Sequence, residues 1–167
     1  MALQKVIYLP DPRLRLATRT ITEFDDPLHQ LIDDMVETMY HERGIGLAAP
    51  QIGLSLKLAV IDISESRDQA FCIINPEILT AEGEDFMQEG CLSVPHAYDK
   101  APRALKVRVR AQDRNGKSFE MDADGLLAHC LQHEIDHLNG KLFVDYLSPL
   151  KRQMAMKKLE KFKRRIK

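Results

Sequence analysis

The chain has 167 residues and a mass of 19.1 kDa, with 44% hydrophobic and 29% charged residues, the proportions of one ordinary globular domain. A mean hydropathy of -0.30 and the lack of a long apolar run exclude a membrane span; the opening Met-Ala-Leu-Gln-Lys-Val-Ile carries no secretion-signal pattern, and three cysteines are too few for a disulfide framework, so a reducing, cytoplasmic setting is expected. The net charge of -1 conceals an acidic body and a basic tail: residues 151–167 hold nine Lys or Arg and one Glu, a formal +8, which leaves -9 to the rest.

The chain opens with an extended Leu9-Pro10-Asp11-Pro12, because a residue before proline is pushed out of the helical region. A first helix is predicted with Asp26 as its cap and Pro27 in its first position. Leu28, Leu31, Ile32, Met35, Val36, Met39 and Tyr40 recur at helical spacing, and Gly44 stops the run. Residues 58–63 and 70–74 are apolar runs that read as strands. Val107, Val109 and Ala111 alternate with arginines, Asn115-Gly116 turns the chain, and Phe119, Met121 and Ala123 alternate again, which predicts a hairpin. A second helix is expected over 125–138, ended by Asn139-Gly140, and a short strand over 142–144. A last helix starts at Ser148-Pro149, with Ala155, Leu159, Phe162 and Ile166 on one face. Strands clustered between helices predict an α+β fold with mainly antiparallel sheets.

The strongest local motif is His133-Glu134-Ile135-Asp136-His137. Residues four apart share a helix face, so both imidazoles can reach one metal ion. The stripe Leu126, Cys130, His133, His137 sets that pair on an otherwise apolar, inward face. A catalytic ion needs at least a third protein ligand and an open position. The zinc-protease patterns do not supply it: ten residues after the first His stands Phe143, and the only later Glu is Glu160, in the basic tail. Cys91, within Glu89-Gly90-Cys91-Leu92-Ser93, is the best upstream candidate, the alternative being a small buried hydrophobe. Cys130 or His129 could be argued as a fourth ligand that closes a non-catalytic site. Gly44-Ile45-Gly46-Leu47-Ala48-Ala49-Pro50-Gln51 imitates a dinucleotide fingerprint, but it follows a helix and runs into proline, the wrong context for that fold. Its glycines suggest backbone approached by a ligand, and Gln51 is a neutral hydrogen-bond donor beside it.

Taken together, the segments 44–51, 89–93 and 132–137 resemble the three signature motifs of peptide deformylases, in that family's order and spacing. The resemblance runs from Pro10-Asp11-Pro12 through Gly140-Lys141-Leu142-Phe143 to the basic terminal helix. It implies one domain, with residues 1–147 as its catalytic part and 148–167 as a basic helix, and antiparallel sheets packed around a central metal-binding helix. It implies that Cys91, His133 and His137 bind one divalent metal, most often Fe(2+), with Zn(2+), Ni(2+) or Co(2+) as substitutes. Glu134 would be general base and acid, and the Gln51 amide and Leu92 N–H would stabilise the oxyanion. The implied reaction removes the formyl group from the formyl-methionine of nascent polypeptides and releases formate. The methionine pocket would be lined by Ile45, Met87, Leu126, His129, Cys130 and His133, and backbone at Gly44, Ile45, Gly46 and Gly90 would meet an extended peptide. The chain departs from the family at His129, commonly aliphatic, and at Tyr98, where many members carry Arg. By the same resemblance the basic helix would dock on ribosomal RNA, the alternative being a capping helix with a solvated cationic face; neither a membrane nor DNA is an expected partner.

Overall fold

The computed structural model describes residues 2–166. Helix α1 spans Asp26–His41 and buries Leu28, Ile32, Met35 and Met39. Its cap is Asp25 and not Asp26: the extended Asp25 accepts the Leu28 N–H at 3.1 Å, and Pro27 falls within the first turn. Either of two adjacent aspartates suits a cap, and the first helical backbone angles decide between them.

Strands β1 (Gly46–Ala48), β2 (Leu58–Ile61), β3 (Phe71–Glu82), β6 (Lys106–Gln112) and β7 (Ser118–Asp124) form one antiparallel sheet in the order β1-β2-β3-β6-β7. The predicted hairpin is β6–β7, with Val107 opposite Ala123, Val109 opposite Met121 and Ala111 opposite Phe119. The continuous apolar run of β2 reflects burial on both faces. Ala59 and Ile61 join a core with Val109, Leu131 and Ile135, while Leu58 and Val60 join one with Met35 and Met39. The sheet is therefore packed between α1 and helix α2 (Gly125–Leu138).

A second, two-stranded antiparallel sheet pairs β4 (Asp85–Cys91) with β5 (Val94–Arg103). It packs with helix α3 (Pro149–Arg165) in a third core of Val94, Ala97, Phe143, Ala155 and Leu159. Two expectations change here. Residues 142–144 are not a strand: Phe143–Tyr146 is a 3-10 turn, closed by the Asp145 carboxylate on the Leu142 N–H at 3.1 Å. Ile166 lies past the end of α3 and is 57% exposed, so it does not continue the apolar face. Among the described residues no helix is long and apolar enough to cross a membrane.

Candidate metal centre

Helix α2 presents Cys130, His133, Glu134 and His137 to the interior, all buried. The end of β4 brings Cys91 to the same place. The Cys91 Sγ lies 3.4 Å from His137 Nε2, and the two Nε2 atoms lie 3.2 Å apart. One donor atom from each of Cys91, His133 and His137 falls within 4.8 Å of the others. Two buried ring nitrogens and a sulfur, all capable of lone-pair donation, converge there. Such a set fits a cation of the Zn or Fe type.

The electrostatics agree with that fit. Burial and the neighbouring imidazole hold His137 well below the usual histidine range, in the neutral form that ligates. Burial also pushes His133 down, but hydrogen bonds with Cys91 and Glu89 outweigh it and draw positive charge to the ring. His133 Nδ1 meets Glu89 Oε1 at 2.9 Å, which fixes the ring with Nε2 facing the centre. Glu89 is held in turn by a bidentate pair with Arg103, both bonds 2.8 Å, and Arg103 also meets Asp136 at 2.5 Å. Burial raises Glu89, yet Arg103 and His133 outweigh it and hold its carboxyl at about 2.

Glu134 stands beside the donors with Oε1 buried and unpartnered. Burial pushes its carboxyl up to about 7, against the opposing pull of His133. A Cβ on Gly46 would collide with this carboxylate, so strand β1 must pass it with glycine. Gln51 is oriented by the Ala48 N–H, which donates to Oε1 at 2.9 Å; Nε2 is thereby turned to Cys91 Sγ at 3.6 Å and Ser93 Oγ at 3.3 Å. Leu92 opens the two-residue turn between β4 and β5.

A cavity of about 400 Å³ opens beside the cluster and reaches Glu134, His133, Cys91 and Gln51. It runs between β1 and β4, an edge strand and a strand of a two-stranded sheet. Gly44, Ile45, Gly46, Met87, Gly90, Leu92, Leu126, His129 and Cys130 line it too, so every site residue expected from sequence borders it or the cluster. His129 sits between Asp85, 3.2 Å away, and Glu89, 3.5 Å away, so its buried imidazole is partnered by carboxylates at both ring nitrogens. Tyr98 is 63% exposed and covers Gly90, where a Cβ would strike its ring.

Neither rival metal reading survives. Phe143 stacks near His133 at 6.2 Å between ring centroids as packing, and Glu160 is exposed on α3. Among the described residues neither Cys130 nor His129 joins the donor cluster. Sequence reasoning missed the Glu89–Arg103–Asp136 network and the cavity residues Tyr8, His96 and Phe162. Glu89 and Asp136 lie inside the motifs, but no periodicity links Arg103 to them.

Three converging side chains that could hold a metal ion, an open cavity and a buried carboxyl beside them are the equipment of metal-dependent hydrolases. A family model described as polypeptide deformylase matches residues 3–153. A peptide deformylase from Legionella pneumophila is 60% identical, with a TM-score of 0.95 over 98% of this chain and 96% of that one. A Synechococcus elongatus peptide deformylase, in complex with actinonin, is 44% identical, with a TM-score of 0.89 over 93% of this chain and 86% of that one. One from Ehrlichia chaffeensis, also with actinonin, is 39% identical, with a TM-score of 0.93 over 98% and 99% of the two chains. The chain belongs to the peptide deformylase family, the metal-dependent hydrolases that remove the N-formyl group from the formyl-methionine of nascent polypeptides.

Proposed function

We propose that Cys91 Sγ, His133 Nε2 and His137 Nε2 would hold one divalent ion and that the protein acts in the cytoplasm, with the substrate bound in the cavity beside Glu134. The ion in the cell is Fe(2+), which a thiolate with two imidazoles accepts, as it accepts Zn(2+), Ni(2+) or Co(2+). When bound, the ion supplies Lewis-acid polarisation of the formyl carbonyl and lowers the pKa of a water molecule. Glu134 takes the proton of the attacking water and delivers it to the leaving amine nitrogen. A carboxyl held at about 7 suits both halves of that task. Gln51 Nε2 and the Leu92 N–H donate to the formyl oxygen as it becomes negative; one such donor is worth about 3 kcal/mol.

The methionine side chain enters the pocket of Ile45, Met87, Leu126, His129, Cys130 and His133. Main-chain groups from Gly44 to Gly46 and at Gly90 pair with the extended peptide, which reads backbone and so accepts many nascent chains. The observation that carries this reading is the convergence of three donor atoms within 4.8 Å at the edge of a cavity that also holds Glu134. The test is formate release by anaerobically prepared protein from a formyl-Met peptide beside its acetylated counterpart. Wild type releases formate and only traces of acetate, and Glu134→Ala keeps its metal while losing nearly all turnover. More than about a tenth of wild-type activity in that variant removes Glu134 from the proton path.

For the basic helix we propose docking on ribosomal RNA through Lys157, Lys158, Lys161, Arg164 and Arg165, all exposed on α3. Deleting the chain from Lys157 would also remove Leu159, buried in the third core, so substitution is the cleaner test. Lys157, Lys158 and Lys161 changed to Glu are expected to weaken co-sedimentation with ribosomes, in a salt-dependent way, without lowering the melting temperature. Equal co-sedimentation of variant and wild type at low salt removes the docking surface.

A further inference from the structure

The edge that borders the cavity begins before β1 does. Between the end of α1 and Gly46 the chain runs through Gly44 and Ile45, which lie outside the strand and still line the cavity. A Cβ on Gly44 would come within 2.9 Å of Leu92 Cδ1, so this position is held by the residue with the freest backbone. An edge that takes up a peptide as an added strand binds more tightly when it is set in advance, because ordering it on binding costs affinity. The Gly44 N–H is fixed by the last turn of α1, where it donates to the Met39 carbonyl at 2.9 Å. Its carbonyl is fixed from elsewhere.

The loop between β2 and β3 supplies the second anchor. Asp62, which follows β2, donates its N–H to the Ile45 carbonyl at 2.9 Å. Further along the loop Arg67 stands at φ 58°, in the left-handed region that a non-glycine residue enters at an energetic cost. Its N–H donates to Ser64 Oγ at 3.1 Å, and its guanidinium lies over the Tyr40 ring at 5.0 Å. From there Nη1 donates to the Asp62 carbonyl at 3.1 Å and Nη2 to the Gly44 carbonyl. Both side-chain bonds go to main-chain oxygens and neither to a carboxylate, so the fork holds backbone in place. Tyr40 is fixed in turn by its hydroxyl, which donates to Asp62 Oδ2 at 2.5 Å. The trans peptide unit from Gly44 to Ile45 is planar, with its C=O and N–H pointing to opposite sides. A Gly44 carbonyl held on Arg67 therefore turns the Ile45 N–H away from the loop. The loop contributes nothing to the cavity wall, which Gly44, Ile45 and Gly46 do line. Among the described residues the Ile45 N–H meets no protein acceptor.

We infer that Arg67 is a positioning residue for deformylation: it fixes the Gly44–Ile45 peptide unit so that the Ile45 N–H is presented to a main-chain carbonyl of the formylated peptide. The inference rests on the reading above, in which the main chain from Gly44 to Gly46 pairs with the substrate. Arg67 does not line the cavity, and Gly46 keeps its place against Glu134 through its pairing with Ile61. Losing the guanidinium therefore acts on peptide binding and spares the chemical step.

The test is turnover of formyl-Met-Ala-Ser by the metal-loaded enzyme as wild type, Arg67→Met, Arg67→Lys and Glu65→Ala. Arg67→Met keeps an apolar stem against Tyr40 and removes the donors. It is expected to raise KM about fivefold, the worth of one hydrogen bond, while kcat, metal content and melting temperature stay close to wild type. Arg67→Lys, which keeps a cationic donor, recovers part of that loss, and Glu65→Ala, exposed on the same loop, matches wild type. The unformylated product Met-Ala-Ser inhibits Arg67→Met correspondingly more weakly than it inhibits wild type. An unchanged KM in Arg67→Met, or one no lower in Arg67→Lys, overturns the positioning role while deformylation stands. So does a rise in KM that comes with an equal fall in kcat or with a lower melting temperature, the mark of a merely structural residue. Failure of the wild type to release formate overturns the reacting centre itself.

Discussion

A Cβ built on residue 46 would lie 2.8 Å from the carboxyl carbon of Glu134. The carboxylate is the partner that can yield: Gly46 is tied into the sheet opposite Ile61, whereas the Glu134 side chain borders the cavity. Gly46→Ala is therefore expected to displace the carboxylate and lower kcat by about a hundredfold, the effect of misplacing a reacting group by about an ångström. Metal content and melting temperature, measured beside kcat, should stay close to wild type; a parallel fall in stability would mean that the strand moved instead. At this scale much of the site is legible in sequence, because helical spacing puts His133 and His137 on one face and the residue types name the chemistry. Cys91 needed the family resemblance, since a lone cysteine is as readily a core residue. The orientation of Gln51 was out of reach, for it depends on one backbone N–H at Ala48.

The second sheet and the central helix are joined by Arg103, which reaches from β5 to Glu89 on β4 and to Asp136 on α2. Its guanidinium also lies over the Tyr146 ring at 5.0 Å. Arg103→Met leaves the buried Glu89 with only imidazole partners, and breaking a buried ion pair in this way costs about 3–5 kcal/mol. Urea unfolding should show that loss, and because Glu89 orients His133, metal affinity should fall by about ten- to a hundredfold. Unchanged metal affinity would separate the network from the cation site. The hairpin that carries these groups was the element least visible in sequence. β4 turns Glu89 inward to meet Arg103, which spoils apolar alternation, and β5 contains Pro95 and Pro102, residues rare in central strands but tolerated at an edge. The β6–β7 hairpin was legible because one face is apolar and its turn is Asn-Gly. The run 142–144 was too short for its period to separate strand from turn.

Whole-molecule stability has an acid-sensitive part that centres on Asp62. Its burial favours the neutral acid, but bonds from Ser64, Tyr40 and the Gln69 N–H prevail and hold it at about 2. A carboxyl lowered on folding stabilises the fold above its unfolded value, near 4, and that contribution disappears as pH falls towards about 2. Asp62→Asn should melt below wild type at pH 7, the gap closing between about pH 4 and 2; a constant gap would assign the loss to packing. Both melts should be single transitions, since α3 shares a core with Val94 and Phe143. The seat of α3 was only partly foreseeable: periodicity located the helix, but its packing against Tyr8 depends on contacts 154 residues apart in the chain. The separation of charge into a body of -9 and a tail of +8 makes the molecule a strong permanent dipole. Near a polyanion such a dipole feels a torque as well as an attraction, and it turns tail-first before contact. Because Phe162 belongs to that tail and also borders the cavity, the helix that meets the polyanion is also part of the cavity wall.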